Sequence, residues 1–269
     1  MKRRRLARRG VVVALLGVGT IGIWAFAGEP PASGLRRGSD DGVDLTVLSY
    51  NVCFERPDAS TVEATLAQGA DIVFLQETNQ AWEELFDAET VAPLERRFHH
   101  HDPDGGLAVL SRYPIERAEL RESPEKAFPA WCLRFQTPEG SLDVLSVHLH
   151  PPIVDDRLLW GYFLTGERRA REIVAHLECF DGPPDLAVGD FNEEEGEAVD
   201  HLASLGLLQA QLAFPPVERT WRWPTELWEL SGRPDHVFVG PRFSVASVHV
   251  PQVGASDHYP LRVGLRRRP

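Results

Sequence analysis

The stretch Asp185-Leu186-Ala187-Val188-Gly189-Asp190-Phe191-Asn192 is an apolar run of strand length that breaks at a glycine and then sets out acid, aromatic and amide in turn. On an extended segment Asp190 and Asn192 share one face and Phe191 takes the other. Phe191 can therefore enter a core while its neighbours enter a cleft. The same pattern recurs along the chain. Leu45–Tyr50 ends in Asn51, Asp71–Gln76 ends in Glu77, and Leu142–Val147 ends in His148. Asp235-His236 and Ser256-Asp257-His258 each precede a further apolar run. Polar groups at strand ends converge when those ends lie side by side.

Outward from these ends, β-rich runs bounded by Gly, Pro or Asp cover Leu45–Tyr50, Asp71–Gln76, Leu107–Ser111, Trp131–Phe135, Leu142–Leu149, Asp185–Val188, His236–Val239, Ser244–Val250 and Leu261–Leu265. Runs apolar nearly throughout, such as Ile72-Val73-Phe74-Leu75, imply burial on both faces. Helical stretches lie between them. A Ser60/Glu63 capping box opens one that ends at Gly69, and Asn79 caps one carrying Trp82, Leu85 and Phe86. A long helix is expected from about Asp156 to Leu177, with Ile173, Val174 and Leu177 inward and Arg168, Arg169, Arg171 and Glu172 on the wet side. A last one covers Glu197–Leu205. The alternation predicts an α/β protein of stacked sheets with outer helices.

The chain has 269 residues and a net charge of −12. Lys2, Arg3, Arg4, Arg5, Arg8 and Arg9 precede an uncharged, mostly apolar stretch, Gly10–Ala27. Residues 1–27 read as a signal peptide or an N-terminal membrane anchor, with Ala25-Phe26-Ala27 in the form of a cleavage site. Export follows from the basic flank, with membrane contact through residues 10–27 if the segment is retained. Residues 28–42 read as a linker and 43–269 as the folded body, expected to be a monomer. That body is strongly acidic, with Lys126 as its lysine. Such a surface disfavours sequence-independent nucleic-acid binding, which draws on Lys and Arg. Cys53, Cys132 and Cys179 are an odd number with no CxxC; buried free thiols are expected, though one bridge is open to an exported chain.

Glu77, Asp190, Asp235 and Asp257 gathered without a cation would repel and shift toward protonation. A hard divalent ion resolves that, and oxygen donors with an amide suit Mg²⁺ or Mn²⁺. His148 and His258 are then available to hold or protonate a phosphoryl oxygen. Taken together, Ser49-Tyr50-Asn51, Leu75-Gln76-Glu77, Gly106–Ile115, Val147-His148-Leu149, Gly189-Asp190-Phe191-Asn192, Asp235-His236-Val237-Phe238 and Ser256-Asp257-His258 resemble the endonuclease/exonuclease/phosphatase superfamily, in its deoxyribonuclease I-like form. The resemblance implies a four-layer α/β/β/α sandwich of two mixed β-sheets flanked by helices. It implies Glu77 as principal metal ligand with Asn51 and Asp257 nearby. Asp190 and Asn192 would handle the attacking water, His258 polarised by Asp235 would be base or phosphate ligand, and His148 would bind a phosphate oxygen.

The expected reaction is hydrolysis of a phosphodiester, with a phosphomonoesterase acting on a sugar or inositol phosphate as the alternative. A noncatalytic module on the same scaffold would have lost the ligands that are present here. His150 shares a face with His148, but His148 directly ends its apolar run. Arg112 could reach a substrate phosphate or stand solvated at its strand end, His99-His100-His101 reads as a solvated loop, and Trp221, Arg222 and Trp223 could rim the cleft.

Overall fold

The computed structural model describes residues 34, 36–100, 105–152, 165–224 and 229–269. In chain order its elements begin with β1 (Arg37–Gly38), β2 (Leu45–Asn51), α1 (Ala59–Leu66), β3 (Ile72–Thr78), α2 (Gln80–Leu85), β4 (Glu95–His99), β5 (Gly106–Ser111) and β6 (Ile115–Arg121). They continue with β7 (Ala130–Thr137), β8 (Gly140–His148), α3 (Gly166–Leu177), β9 (Leu186–Asp190), α4 (Glu197–Ser204) and β10 (Leu208–Gln209). The hairpin β11 (Trp221–Pro224) and β12 (Glu229–Gly232) follows, then β13 (Asp235–Val239), β14 (Phe243–His249) and β15 (Leu261–Arg267).

Two mixed sheets form, one ordered β1-β14-β15-β2-β3-β5-β4 and the other β10-β13-β9-β8-β7-β6. Strand alternation divides their side chains into three apolar layers. Val47, Phe74, Leu133, Phe135, Val188, Val237 and Val263 fill the space between the sheets. Leu145, Ile173, Ala187, Phe191, Leu202 and Phe238 join the second sheet to α3 and α4. Leu48, Tyr50, Val62, Leu75, Trp82 and Phe86 join the first sheet to α1 and α2. This is the four-layer sandwich. Phe191 is fully buried in the outer layer, a burial that contributes about 1.5–3 kcal/mol.

Several local expectations change. Asp58, not Ser60, caps α1, its carboxylate accepting from the Thr61 NH at 2.8 Å; the cap lies two residues earlier and Ser60 donates to it instead. Asn79 does cap α2, accepting from the Trp82 NH. The expected long helix is described from Gly166, and its earlier part and the 10–27 stretch lie outside the described residues. Arg169 and Glu172, read as solvated, are buried, while Val174 is exposed. Arg169 pairs with Glu193 at 2.7 Å, and Glu172 accepts from Ser123 Oγ and the His150 NH. Both charges are tertiary partners, which helical periodicity does not register. Arg37–Gly38, inside the stretch read as a linker, pairs with Val248 and Ser247 of β14. The unread strands β4 and β6 are sheet edges rich in Glu and Arg, where one flank meets solvent and the apolar signal fades. Among the described residues no helix is long and apolar enough to cross a membrane.

The expectation of free thiols fails for two of the three cysteines. Cys132 on β7 and Cys179 just beyond α3 form a disulfide across 47 residues, leaving Cys53 free. The bond ties the second sheet to its helical layer. Closing a loop of that length stabilises by about 2–4 kcal/mol. Reduction, or Cys132→Ser with Cys179→Ser, is expected to lower the melting temperature by about 5–15 °C. Calorimetry with and without reductant checks this; an unmoved transition would mean the bridge contributes nothing.

Candidate active site

Register alone brings three of the polar strand ends together. β8 and β9 are parallel with His148 opposite Asp190, and β13 is antiparallel to β9 with Asp235 opposite Asp190. Residues paired across strands share a face, so His148, Asp190 and Asp235 form one row facing the first sheet. Asn51 comes from that sheet, at the end of β2. Its amide NH₂ donates to Asp190 Oδ2 and to Glu77 Oε1, each at 3.0 Å, so one side chain bridges two carboxylates from facing sheets.

Glu77 reaches this pocket through a backbone irregularity. Strict alternation along β3 would send it outward, because Phe74 and Gln76 face inward. Instead β3 carries a bulge between Gln76 and Thr78, and Glu77 has φ of +57°. That conformation is uncommon for a non-glycine residue and costs on the order of 1–3 kcal/mol. The partner strand allows it with Gly106, where a Cβ would stand 2.1 Å from the Thr78 carbonyl oxygen. Bulges re-aim single side chains in this way. Asn192 also has a left-handed backbone, φ +54°, which asparagine tolerates. Its NH bonds Asp190 Oδ1 and its Nδ2 donates to the Leu149 carbonyl, so it braces the end of β9 against β8. Gly189 lets the strands close: a Cβ there would lie 1.9 Å from the Val147 oxygen.

The Ser256-Asp257-His258 turn closes the site. Ser256 Oγ donates to the Asn51 carbonyl and accepts from the His258 NH. His258 Nδ1 bonds Asp235 Oδ2 at 2.9 Å, which turns Nε2 to within 3.7 Å of Asp190 Oδ2. On the other flank His148 Nε2 lies 3.7 Å from Asp190 Oδ2 and 4.0 Å from Glu77 Oε1. Asp257 Oδ2 accepts from Trp221 Nε1 at 3.3 Å, an anchor that docks the β11–β12 hairpin beside the turn.

The electrostatics reflect crowded acids in a dry place. Burial pushes Glu77 up to about 7; Asn51 and His258 oppose the rise, while Asp190 and Asp257 add to it. Burial likewise raises Asp190, against the pull of His258. For His258, burial alone would disfavour the charged ring, but Asp235 and Asp190 outweigh it and lift it to about 10. Asp235 Oδ1 is buried without a hydrogen-bond partner, and Asp190, Asp235 and His258 each offer an atom within 4.8 Å of the others. Buried oxygens with one unpartnered, and carboxylates held toward protonation, are the donor chemistry of a hard cation. Asn51 keeps its Oδ1 toward the Cys53 NH, so its amide ties the acids as the structure stands.

Other candidates separate from this centre. His150 lies against Arg168 Nη1 at 2.8 Å, on the α3 side. Arg112 is exposed and pairs with Asp71 just ahead of β3, at the end of that strand away from Glu77, which matches a solvated strand-end arginine, the other reading its sequence allowed. His100 pairs with Glu83, and His101 lies outside the described residues. Arg222 covers the Tyr259 ring, whereas Trp223 is half exposed. Sequence reading missed Glu193, whose carboxylate is buried between Arg169 and the Ala198 and Val199 NH groups at the start of α4. Glu193 directly follows Asn192 and opens the acidic run Glu193-Glu194-Glu195, which carries no periodic signal that would mark one of its members as buried.

A sequence profile described as the Endonuclease/Exonuclease/phosphatase family matches residues 48–258. No curated protein sequence matches the chain. Among solved structures, Danio rerio TDP2 complexed with a single-strand DNA product superposes with a TM-score of 0.65 at 16% identity, over 82% of this chain and 98% of that one. The human Nocturnin catalytic domain with bound sulfate gives 0.61 at 17%, over 86% and 99%. A conserved protein of unknown function from Enterococcus faecalis gives 0.65 at 16%, over 83% and 100%. At such identities the likeness establishes the shared fold.

Proposed function

Because the chain belongs to the endonuclease/exonuclease/phosphatase family, we propose that it is an exported, divalent-metal-dependent phosphodiesterase. The observation that carries this reading is the Asn51 amide bridging Glu77 and Asp190 at 3.0 Å, with two imidazoles converging on the same Asp190 oxygen. Glu77 and Asp257, with Asn51 beside them, would hold Mg²⁺ or Mn²⁺. When bound, the ion supplies Lewis-acid stabilisation of charge on phosphoryl oxygens.

The chain's own groups divide the remaining work. Asp190, with Asn192 bracing its strand end, orients a water for in-line attack and accepts its proton at Oδ2. His258 stays protonated through Asp235 at neutral pH, so it donates from Nε2 to a non-bridging phosphoryl oxygen rather than serving as a base. His148 Nε2 faces the same pocket from the opposite flank and fits a second phosphoryl oxygen. The Cys132–Cys179 bridge supports the exported reading, since such bonds persist in oxidising compartments. The acidic body favours lipid headgroups or small diesters over duplex nucleic acid.

A panel on residues 28–269 with Mg²⁺ tests the reading. It comprises bis-p-nitrophenyl phosphate, p-nitrophenyl phosphate, sphingomyelin, plasmid DNA, RNA and inositol phosphates. The diesters are expected to turn over faster than the monoester. Preferential release from monoesters would overturn the diesterase reading in favour of a phosphatase.

A further inference from the structure

We propose that Phe128 is the positioning residue of His148, setting the plane in which its imidazole meets the substrate phosphoryl group. This rests on the hydrolase reading and deepens it. The Phe128 ring lies on the His148 ring with centroids 4.0 Å apart and planes 12° from parallel. A histidine ring needs such a wall, because rotation about its terminal sp³–sp² bond is only broadly restrained by its own torsion. The side chain of His148 is 2% exposed and its Nε2 faces both Asp190 and Glu77, so a turn of the ring would carry its donor away from the pocket.

Phe128 is itself held. A Cβ on Gly105 would stand 1.9 Å from Phe128 Cδ1, so the ring edge is seated against bare backbone at the entry to β5. The segment that carries it, between β6 and β7, is tied to α3 at two points. Ser123 Oγ donates to Glu172 Oε1, and Glu125 Oε1 accepts from Arg171 Nε at 2.7 Å. Glu172 also takes the His150 NH, two residues past His148. The wall and the ring it orients are therefore fixed to the same helix. This gives the buried Glu172, which the chemistry does not otherwise use, a mechanical purpose.

The test is a double-mutant cycle on bis-p-nitrophenyl phosphate, with melting curves confirming that each variant is folded. His148→Ala is expected to lower kcat/KM about 100-fold, and Phe128→Leu, which keeps apolar bulk but not the flat face, about tenfold. Phe128→Tyr restores the rate. In the His148→Ala background Phe128→Leu should cost nothing more, since it has no ring left to orient. An undiminished tenfold loss there, or a Leu variant as fast as wild type, would overturn the proposal. A readout independent of turnover separates this from failure of the hydrolase reading. Stacking shifts the His148 ring proton signal upfield, and Phe128→Leu should return it toward the position of a free histidine. A signal that does not move would sink the proposal even in an inactive protein.

Discussion

Asp190→Asn is expected to lower turnover of bis-p-nitrophenyl phosphate by about three orders of magnitude while leaving KM within a few-fold. The substitution preserves volume and keeps an oxygen that can take the Asn51 amide. What it removes is a proton acceptor and a negative charge, at the point where His148 and His258 each approach to 3.7 Å. A loss confined to kcat marks a group that acts in the transition state rather than in binding. Melting curves establish that the variant is folded, so that the lost rate reads as lost chemistry. Wild-type turnover in Asp190→Asn would remove this residue from the chemistry.

The second large effect is removal of the cation: EDTA should abolish hydrolysis, and added Mg²⁺ or Mn²⁺ should restore it. Thermal melting reports the same event without turnover. Glu77 stands at about 7 in the folded chain against 4.5 for the ordinary side chain, with burial as the main cause. A carboxyl raised on folding contributes its stability below the unfolded value and loses it as pH climbs through the folded one. In EDTA, stability should therefore decline from about pH 4.5 to above 7 on account of this group. Mg²⁺ compensates the ionised form, so the rise in melting temperature that it produces should grow between about pH 5 and pH 8. Glu77→Gln should flatten that dependence, abolish activity, and melt above wild type in EDTA at the alkaline end. Hydrolysis that survives exhaustive chelation would exclude a cation from the reaction.

Both expectations depend on a pocket that was partly legible from the residues in order. Apolar runs of strand length ending in Asn51, Glu77, His148 and Asp190 announce stacked strands with a polar rim, because alternation and burial are local properties of the chain. The placement of Phe191 in the outer core, opposite Asp190, follows from the same two-residue period. The cap at Asn79 was equally local. Periodicity misjudged Arg169 and Glu172, since a charge counts as solvated on a helix until another element supplies its partner. It passed over β4 and β6 because edge strands carry weak apolar patterning.

By itself, then, the order of residues determined the layers, the strand ends and the inventory of acids and imidazoles. Tertiary structure alone decided which of them meet. Glu77 turns inward only because β3 bulges opposite Gly106. Asn51 can span two sheets only because they pack face to face. The Cys132–Cys179 bridge and the Phe128 wall join segments far apart in the chain. The physical reason is range: strand alternation is set by neighbouring torsions, whereas a bulge, a disulfide or a stacked ring is stabilised by a partner whose position exists only once the chain has folded.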